Sequence, residues 1–256
     1  MKKITKLSIL ALTVVPFFAS SQVNVSTTPS KRVAVLEEFT GNYCTYCPDG
    51  HKRADQIQST YGDKVITLKI QSGSFASTDP IFGGNLKTTH GNYIATQFPV
   101  SGWPSGSVNR FYNDDSRSNW SSHVGTITGQ DSPINMYIDA TVDATTREMI
   151  VNVEYYYTAN EANTTNYLHI GYYQDNIPAY QYDPGFYPEN FYLLEDDVYQ
   201  FDHCYRANLT PMSSSGTWGE VISSTTTGST AIVSKTITLP STFSTFAVEA
   251  GAVKVF

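Results

Sequence analysis

The apolar positions of this chain change their rhythm near its middle. Val33-Ala34-Val35-Leu36 opens a largely β-branched run that continues to Phe39 and reads as a buried strand. Pro48 stands where the first turn of a helix tolerates a missing N–H. Ala54, Ile57, Gln58 and Tyr61 then follow at helical spacing, and Gly62 closes the segment. Residues 65–70 form a second strand, 85–98 leave room for one or two short helices, 107–111 read as a third strand and 118–127 as a weak helix. Strands alternating with helices predict an α/β layer over residues 33–130. From Asp131 the period becomes two. Ile134, Met136, Ile138, Ala140 and Val142 alternate with other residues, as do Val151, Val153, Tyr155 and Tyr157, then Leu168, Ile170 and Tyr172. Later strands are expected near 198–209, 231–239 and 246–256, and the aromatic, acidic stretch 177–199 as a loop or excursion between strands. This pattern, with Ser/Thr/Asn/Gly turns, predicts an antiparallel, Ig-like β-sandwich over 131–256. The boundary between the halves falls near Gly129–Pro133.

The ends place the chain outside the cytoplasm. Lys2, Lys3 and Lys6, an apolar stretch from Leu7 to Ala19 and the small residues Ala19-Ser20-Ser21 make a secretory signal peptide over 1–21, followed by a polar lead-in over 22–32. Cleavage would remove three lysines and no acids, so the net charge falls from −7 to −10. An acidic chain with no basic cluster is a poor nucleic-acid ligand, and no second long apolar segment predicts a membrane span, so membrane association is at most peripheral. Periplasm or outer membrane and cell surface are the expected locations. The chain stops at Val255-Phe256 inside a strand pattern, as a domain truncated at its C-terminus would.

Three cysteines in an exported chain make one pair and one remainder. Cys44-Thr45-Tyr46-Cys47 lies between the first strand and the first helix, after the turn Thr40-Gly41-Asn42. A helix N-terminus stabilises a thiolate, so Cys44 is expected to have a lowered pKa and act as nucleophile, with Cys47 as resolving thiol. No cofactor beyond this pair is implied. Cys44, Cys47 and His51 lack a fourth ligand at zinc spacing, so no metal is expected, and His51 is placed on the helix surface. Cys204 reads as a buried small hydrophobe. The loop from Tyr180 to Tyr199 carries seven aromatic residues and five acids, a surface for docking ligands or a set of rings packed inward.

The first half resembles the thioredoxin fold. Gly102-Trp103-Pro104-Ser105 before a strand looks like the loop that carries the family's cis-proline, and Glu38, six residues before Cys44, stands where the family keeps a buried acid. Glu37 is the rival acid on the opposite strand face. The resemblance implies that Glu38 carries the resolving thiol's proton, that Pro104 shapes the substrate groove, and that Tyr43, Thr45, Tyr46, Trp103 and Ser105 line it. Thr45-Tyr46 differs from the family's Gly-Pro dipeptide, so no reduction potential carries over. More narrowly, Glu37-Glu38-Phe39-Thr40-Gly41, Cys44-x-x-Cys47-Pro48 with Gly50-His51, Val108-Asn109-Arg110, and His203 to Arg206 followed by Gly216 to Glu220 are similar to the Omp-twenty-eight-related outer membrane proteins of Bacteroidota. That likeness implies an exported cell-envelope protein with a thioredoxin-like domain joined to a sandwich. Two functions follow as expectations. One is thiol–disulfide exchange with protein thiols or disulfides. The other is surface binding, adhesin-like, with Cys44–Cys47 as a structural disulfide.

Overall fold

A computed structural model describes residues 24–187, 198–215 and 218–256. The expected signal peptide, most of the acidic part of the aromatic loop, and Gly216-Thr217 lie outside the described residues. In chain order the first half contains β1 (Ser30–Lys31), β2 (Ala34–Thr40), α1 (Cys47–Tyr61), β3 (Val65–Gln71), α2 (Thr89–Gln97), β4 (Ser105–Val108), β5 (Tyr112–Asp115) and α3 (Trp120–Thr128). The second half contains β6 (Asp131–Ser132), β7 (Ile134–Val142), β8 (Glu148–Tyr157), β9 (Asn166–Leu168), β10 (Gly171–Gln174), β11 (Ile177–Tyr180) and β12 (Val198–Phe201). It continues with β13 (Cys204–Asn208), β14 (Glu220–Ile222), β15 (Thr230–Thr238), β16 (Thr242–Phe243), β17 (Phe246–Ala247) and β18 (Val253–Val255). The protein is a mixed α/β fold with several sheets and few helices. Among the described residues no helix is long and apolar enough to cross a membrane.

The main sheet has seven strands in the order β18-β10-β13-β3-β2-β4-β5. β2 and β3 run parallel, with Glu38 opposite Lys69 and Thr40 opposite Gln71, and β4 runs antiparallel to β2. Alternation along the buried central strands sends Ala34, Leu36, Glu38 and Thr40 to one face and Val35, Glu37 and Phe39 to the other. On the first face Leu36, Ala54, Ile57, Val108, Trp120, Val124 and Ile127 form the core under α1 and α3. On the second, Phe39, Leu68, Ile70, Ile94 and Tyr205 form a core under α2. Gly62 ends α1 at φ 57°, and its amide donates to the Gln58 carbonyl.

The sheet crosses the expected boundary near residue 130. β10, β13 and β18 belong to the second half of the chain yet extend the first-half sheet, with β13 parallel to β3 through the Cys204–Lys69 pair. The Lys69 amide donates to the His203 carbonyl at 2.8 Å, sealing that junction. A freestanding sandwich is therefore not what all the later strands build. The long hairpin β7-β8-β15 forms its own antiparallel sheet, whose buried Met149, Val151, Val153 and Tyr157 share a core with Leu168, Ile170 and Tyr172. The stretch expected as an excursion begins and ends as a two-stranded ladder, β11 against β12.

Candidate functional site

β2 delivers the chain to a tight turn before α1. The Cys44 amide donates to the Gly41 carbonyl at 3.0 Å, and the Cys47 amide to the Cys44 carbonyl at 3.3 Å. Gly41 has to be glycine here, because a Cβ would stand 2.5 Å from the Phe75 carbonyl carbon. Cys44 and Cys47 form a disulfide with Cα atoms 5.4 Å apart. Tyr46 caps α1 without a side-chain hydrogen bond, so the first-turn amides beside the sulfurs receive no side-chain acceptor from that position. In that turn Asp49 pairs with Arg53 at 2.9 Å and also with Arg117. Burial raises its pKa, but hydrogen bonds from the two guanidinium groups outweigh this and hold it below the ordinary value.

Glu38 is fully buried under α1, and neither of its carboxyl oxygens has a hydrogen-bond partner. A Cβ on Gly50 would meet Glu38 Oε1 at 2.6 Å and Pro104 at 2.9 Å. The carboxyl, the helix turn after Cys47 and Pro104 therefore meet at one point, and only glycine lets them close. The Trp103–Pro104 bond is cis. Burial pushes the Glu38 pKa well above its ordinary 4.5, outweighing the opposing charge of Lys69. Lys69 is also fully buried, with Nζ 3.1 Å from Asp55 Oδ1. Burial lowers its pKa, but Asp55 and Glu38 outweigh that and raise it.

His51 is not on the helix surface. It is fully buried, one turn beyond Cys47, because helix α1 turns that position toward the sheet. Its Nε2 lies 2.8 Å from Thr40 Oγ1 and 3.6 Å from Glu38 Oε1, and its Nδ1 lies 3.0 Å from the Tyr199 hydroxyl. Burial, and then the Lys69 charge, hold its pKa well below 6.5, so the ring is neutral.

The expected groove residues divide. Tyr43 and Tyr46 are exposed, and Thr45 is half-buried. Trp103 is half-buried, donates from Nε1 to Ser72 Oγ at 3.3 Å and packs near Phe75. It lies over Gly73, where φ is 66° and a Cβ would come within 2.1 Å of the indole. Ser105 turns away from the groove. Its hydroxyl donates to Asp114 Oδ1 at 3.0 Å, because strand alternation aims it at β5.

A strap from the second half covers the disulfide. Tyr182 donates its amide to the Asn42 carbonyl at 2.9 Å, and Gln181 Nε2 donates to the Cys44 carbonyl at 3.3 Å. The Tyr43 and Tyr180 rings lie 5.1 Å apart, Tyr46 and Phe186 5.5 Å apart, and the Tyr187 hydroxyl donates to Asp55 Oδ2 at 2.9 Å. With this cover Cys44 is only 2% exposed and Cys47 is fully buried. No sequence signal announces these contacts, which join positions more than a hundred residues apart.

On the opposite face Glu37 receives two-pronged hydrogen bonds from Arg110, the shortest 2.6 Å from Nη2 to Oε1. The guanidinium lies 4.8 Å from the Phe98 ring centre and 5.5 Å from that of Trp218. Glu37 is thus committed to an ion pair away from the cysteines. Cys204 is fully buried beside Ile177, Tyr199 and Phe201, and burial raises its thiol pKa. Among the described residues no group of three or more His, Cys, Asp or Glu side chains is arranged to hold a metal.

No family model matches the chain, and no curated protein matches it in sequence. Among solved structures it is similar to HBP35 of Porphyromonas gingivalis, with a TM-score of 0.57 at 16% identity over 82% of this chain. The two share a fold. The match spans 65% of the HBP35 chain, so this protein covers less than two thirds of that neighbour's length. A second structure, protein AGR_C_4864 from Agrobacterium tumefaciens, aligns over 80% of this chain at 10% identity with a TM-score of 0.49.

Proposed function

We propose that this is an exported, thioredoxin-like cell-envelope protein, akin to the Omp-twenty-eight-related proteins, that exchanges thiols and disulfides through Cys44 and Cys47. The observation that carries the reading is the Cys44–Cys47 bond at the start of α1 with a fully buried carboxyl behind it at Glu38, whose pKa burial raises well above the ordinary value. Pro104 touches the same point. A substrate thiolate attacks Cys44 Sγ, the Cys44–Cys47 bond breaks, and Cys47 leaves as a thiolate that takes the Glu38 proton. In the reverse direction Cys47 gives its proton to Glu38, attacks the mixed disulfide at Cys44 and releases the substrate thiolate. Helix-end amides favour negative charge at the sulfurs in both directions. Protein thiols and disulfides are the partners, and the chain is taken to act in the periplasm or at the cell surface after removal of residues 1–21.

A second reading has its own support. Both cysteines are buried under the strap, as a structural disulfide would be. In that case the protein is a surface binder and Cys44–Cys47 only holds the turn before α1 in place. Equilibration with glutathione decides between them. A reduction potential in the range of oxidoreductases, roughly −270 to −120 mV, supports exchange, and a potential below about −300 mV supports the structural role.

A further inference from the structure

Helix α1 borders a cleft that the exchange chemistry above does not use. Arg53, Gln56 and Thr60 line it from one face of the helix, and Arg117, Ser118 and Ser121 line it from the start of α3 and the turn before it. At its far end the Tyr61 hydroxyl donates to the Ser121 carbonyl at 3.0 Å. At its near end the Arg117 guanidinium lies 5.7 Å from the ring centre of Tyr46, an exposed residue between the two cysteines. The charge of Arg117 is felt at Glu38, behind the disulfide. The cleft therefore runs along α1 away from the redox pair. Its volume is about 220 Å³. That is below the roughly 300–1,000 Å³ of a small-molecule pocket and suits a single side chain.

Its charge says which kind. Arg53 and Arg117 both donate from Nε to one atom, Asp49 Oδ2. One carboxylate thus serves two guanidinium groups, and among the described residues the Nη nitrogens of both make no hydrogen bond. The remaining lining side chains are uncharged, so the cleft has an excess of one positive charge. An unpaired guanidinium fork matches a carboxylate in shape and charge. The chain as a whole is acidic, at −7, but at physiological salt exposed charges beyond about 8 Å are largely screened. An incoming carboxylate answers to the local excess.

We propose that this cleft binds an acidic side chain of the substrate protein, so that the exchange partners carry a glutamate or aspartate near the reacting cysteine. The inference rests on the redox reading above and names its substrate class. Arg53 stands six residues after Cys47, about 9 Å along the helix at 1.5 Å per residue. An extended chain covers that span in about three residues. Arg53 and Arg117 supply the charge and the fork, and the Ser118 and Ser121 hydroxyls lie within the same cleft.

The test has two arms. In the first, the disulfide-intact protein is titrated with a peptide that has serine in place of cysteine and glutamate about three residues to either side. Backbone amide nitrogen-15 shifts of Ser118 and Ser121 should move saturably, and the matching lysine peptide should leave them unmoved. No movement, or equal movement with both peptides, overturns the proposal. Inorganic phosphate that shifts these amides at lower concentration than the glutamate peptide overturns the assignment to a carboxylate. In the second arm the cysteine forms of the glutamate and glutamine peptides react with Cys44–Cys47. Wild type should favour the glutamate peptide about three- to fivefold, the range of a partly exposed ion pair. That ratio should fall to about one in the Arg53→Gln, Arg117→Gln double variant, and in wild type at about 1 M salt, where the screening length is about 3 Å. Taking the ratio within each protein divides out any general effect of the substitutions on the disulfide. A ratio of one in wild type, or one that survives in the double variant, overturns the proposal. If wild-type Cys44–Cys47 does not equilibrate with glutathione, the redox reading fails, and the first arm still decides whether the cleft takes a carboxylate. A redox-active pair with no charge preference sinks only the cleft.

Discussion

Glu38 makes the sharpest prediction for stability. The perturbation is Glu38→Gln, which keeps the shape and removes the titration. In the unfolded chain the carboxyl ionises near 4.5, while in the folded protein burial holds it protonated to well above that value. Below 4.5 both states carry the proton and the group adds no pH dependence. Above 4.5 the folded state binds more protons than the unfolded one, so wild-type stability falls as pH rises, until the folded pKa is reached. One proton corresponds to about 1.4 kcal/mol per pH unit. His51 works in the opposite sense. Its pKa is depressed, so its stabilisation is present above 6.5 and lost as pH falls. It is present in both proteins and largely cancels in their difference.

The stability of Glu38→Gln relative to wild type should therefore start near its minimum at pH 4.5, gain about 1 kcal/mol over the next pH unit and about 1.4 kcal/mol over each further unit, continuing to the folded pKa. Urea unfolding of the disulfide-intact proteins from pH 4.5 to 8, followed by far-ultraviolet circular dichroism at constant m-value, measures it. A companion Glu38→Leu also removes two buried oxygens without partners, each of which costs about 1–3 kcal/mol when unsatisfied. It should be at least as stable as Glu38→Gln at pH 8. A difference curve that is flat or falls with pH means that Glu38 is ionised in the folded protein, and the reasoning about its proton collapses. A positive curve with lost exchange activity is the signature of a site held at a stability cost for its chemistry.

Two more outcomes follow. Arg110→Ala strands Glu37, only 4% exposed, without its cation; urea unfolding should show a loss of about 3 kcal/mol, most of it recovered by adding Glu37→Leu. Gln181→Ala removes the hydrogen bond from the strap to the Cys44 carbonyl, so iodoacetamide should alkylate reduced Cys44 at least about threefold faster, in line with a lost hydrogen bond of roughly 1 kcal/mol, with buried Cys204 as the unreactive internal standard.

The central sheet was legible because local signals agreed with one another. Val35 to Phe39, Pro48 and Gly62 each stand where strand, helix start and helix stop require them, and β2 and α1 follow those positions closely. The third strand starts two residues before the sequence pattern and ends at Val108, where Asn109 and Arg110 take positive φ and make a turn that brings Arg110 to Glu37. Period-two alternation found β7 and β8 but overstated the burial of β7. Met136 and Ile138 point to the same side as the buried Val153, yet remain 50% and 40% exposed, because β7 is the edge of a three-stranded sheet and its cover does not extend that far. Alternation also cannot say which sheet a strand joins. Tyr172, Cys204 and Val253 look like sandwich residues in sequence, yet long-range pairing puts β13 beside β3 and β10 and β18 outside it in the same sheet. His51 was misplaced for a related reason. A polar residue on a helix reads as solvated unless the hydroxyls that satisfy it are known, and Tyr199 lies 148 residues away.

The strap changes how any reactivity at Cys44 has to be interpreted. Tyr182 and Gln181 bond to the turn that holds the disulfide, and Tyr180 and Phe186 lie on the two tyrosines flanking it. On the proposed redox reading, exchange with a protein substrate would take two steps: displacement of the strap, and attack on the exposed sulfur. An observed rate is the intrinsic rate multiplied by the open fraction, so a strap open about 1% of the time slows exchange about a hundredfold. Slow exchange is therefore no sign of a structural disulfide. The equilibrium potential is free of this kinetic factor, since a cover that fits oxidised and reduced forms equally shifts neither. If the strap prefers one form, the preference appears as a difference in potential between wild type and Gln181→Ala. Equal potentials with unequal rates identify a gate, and unequal potentials identify a strap that also sets the redox balance of the pair it covers.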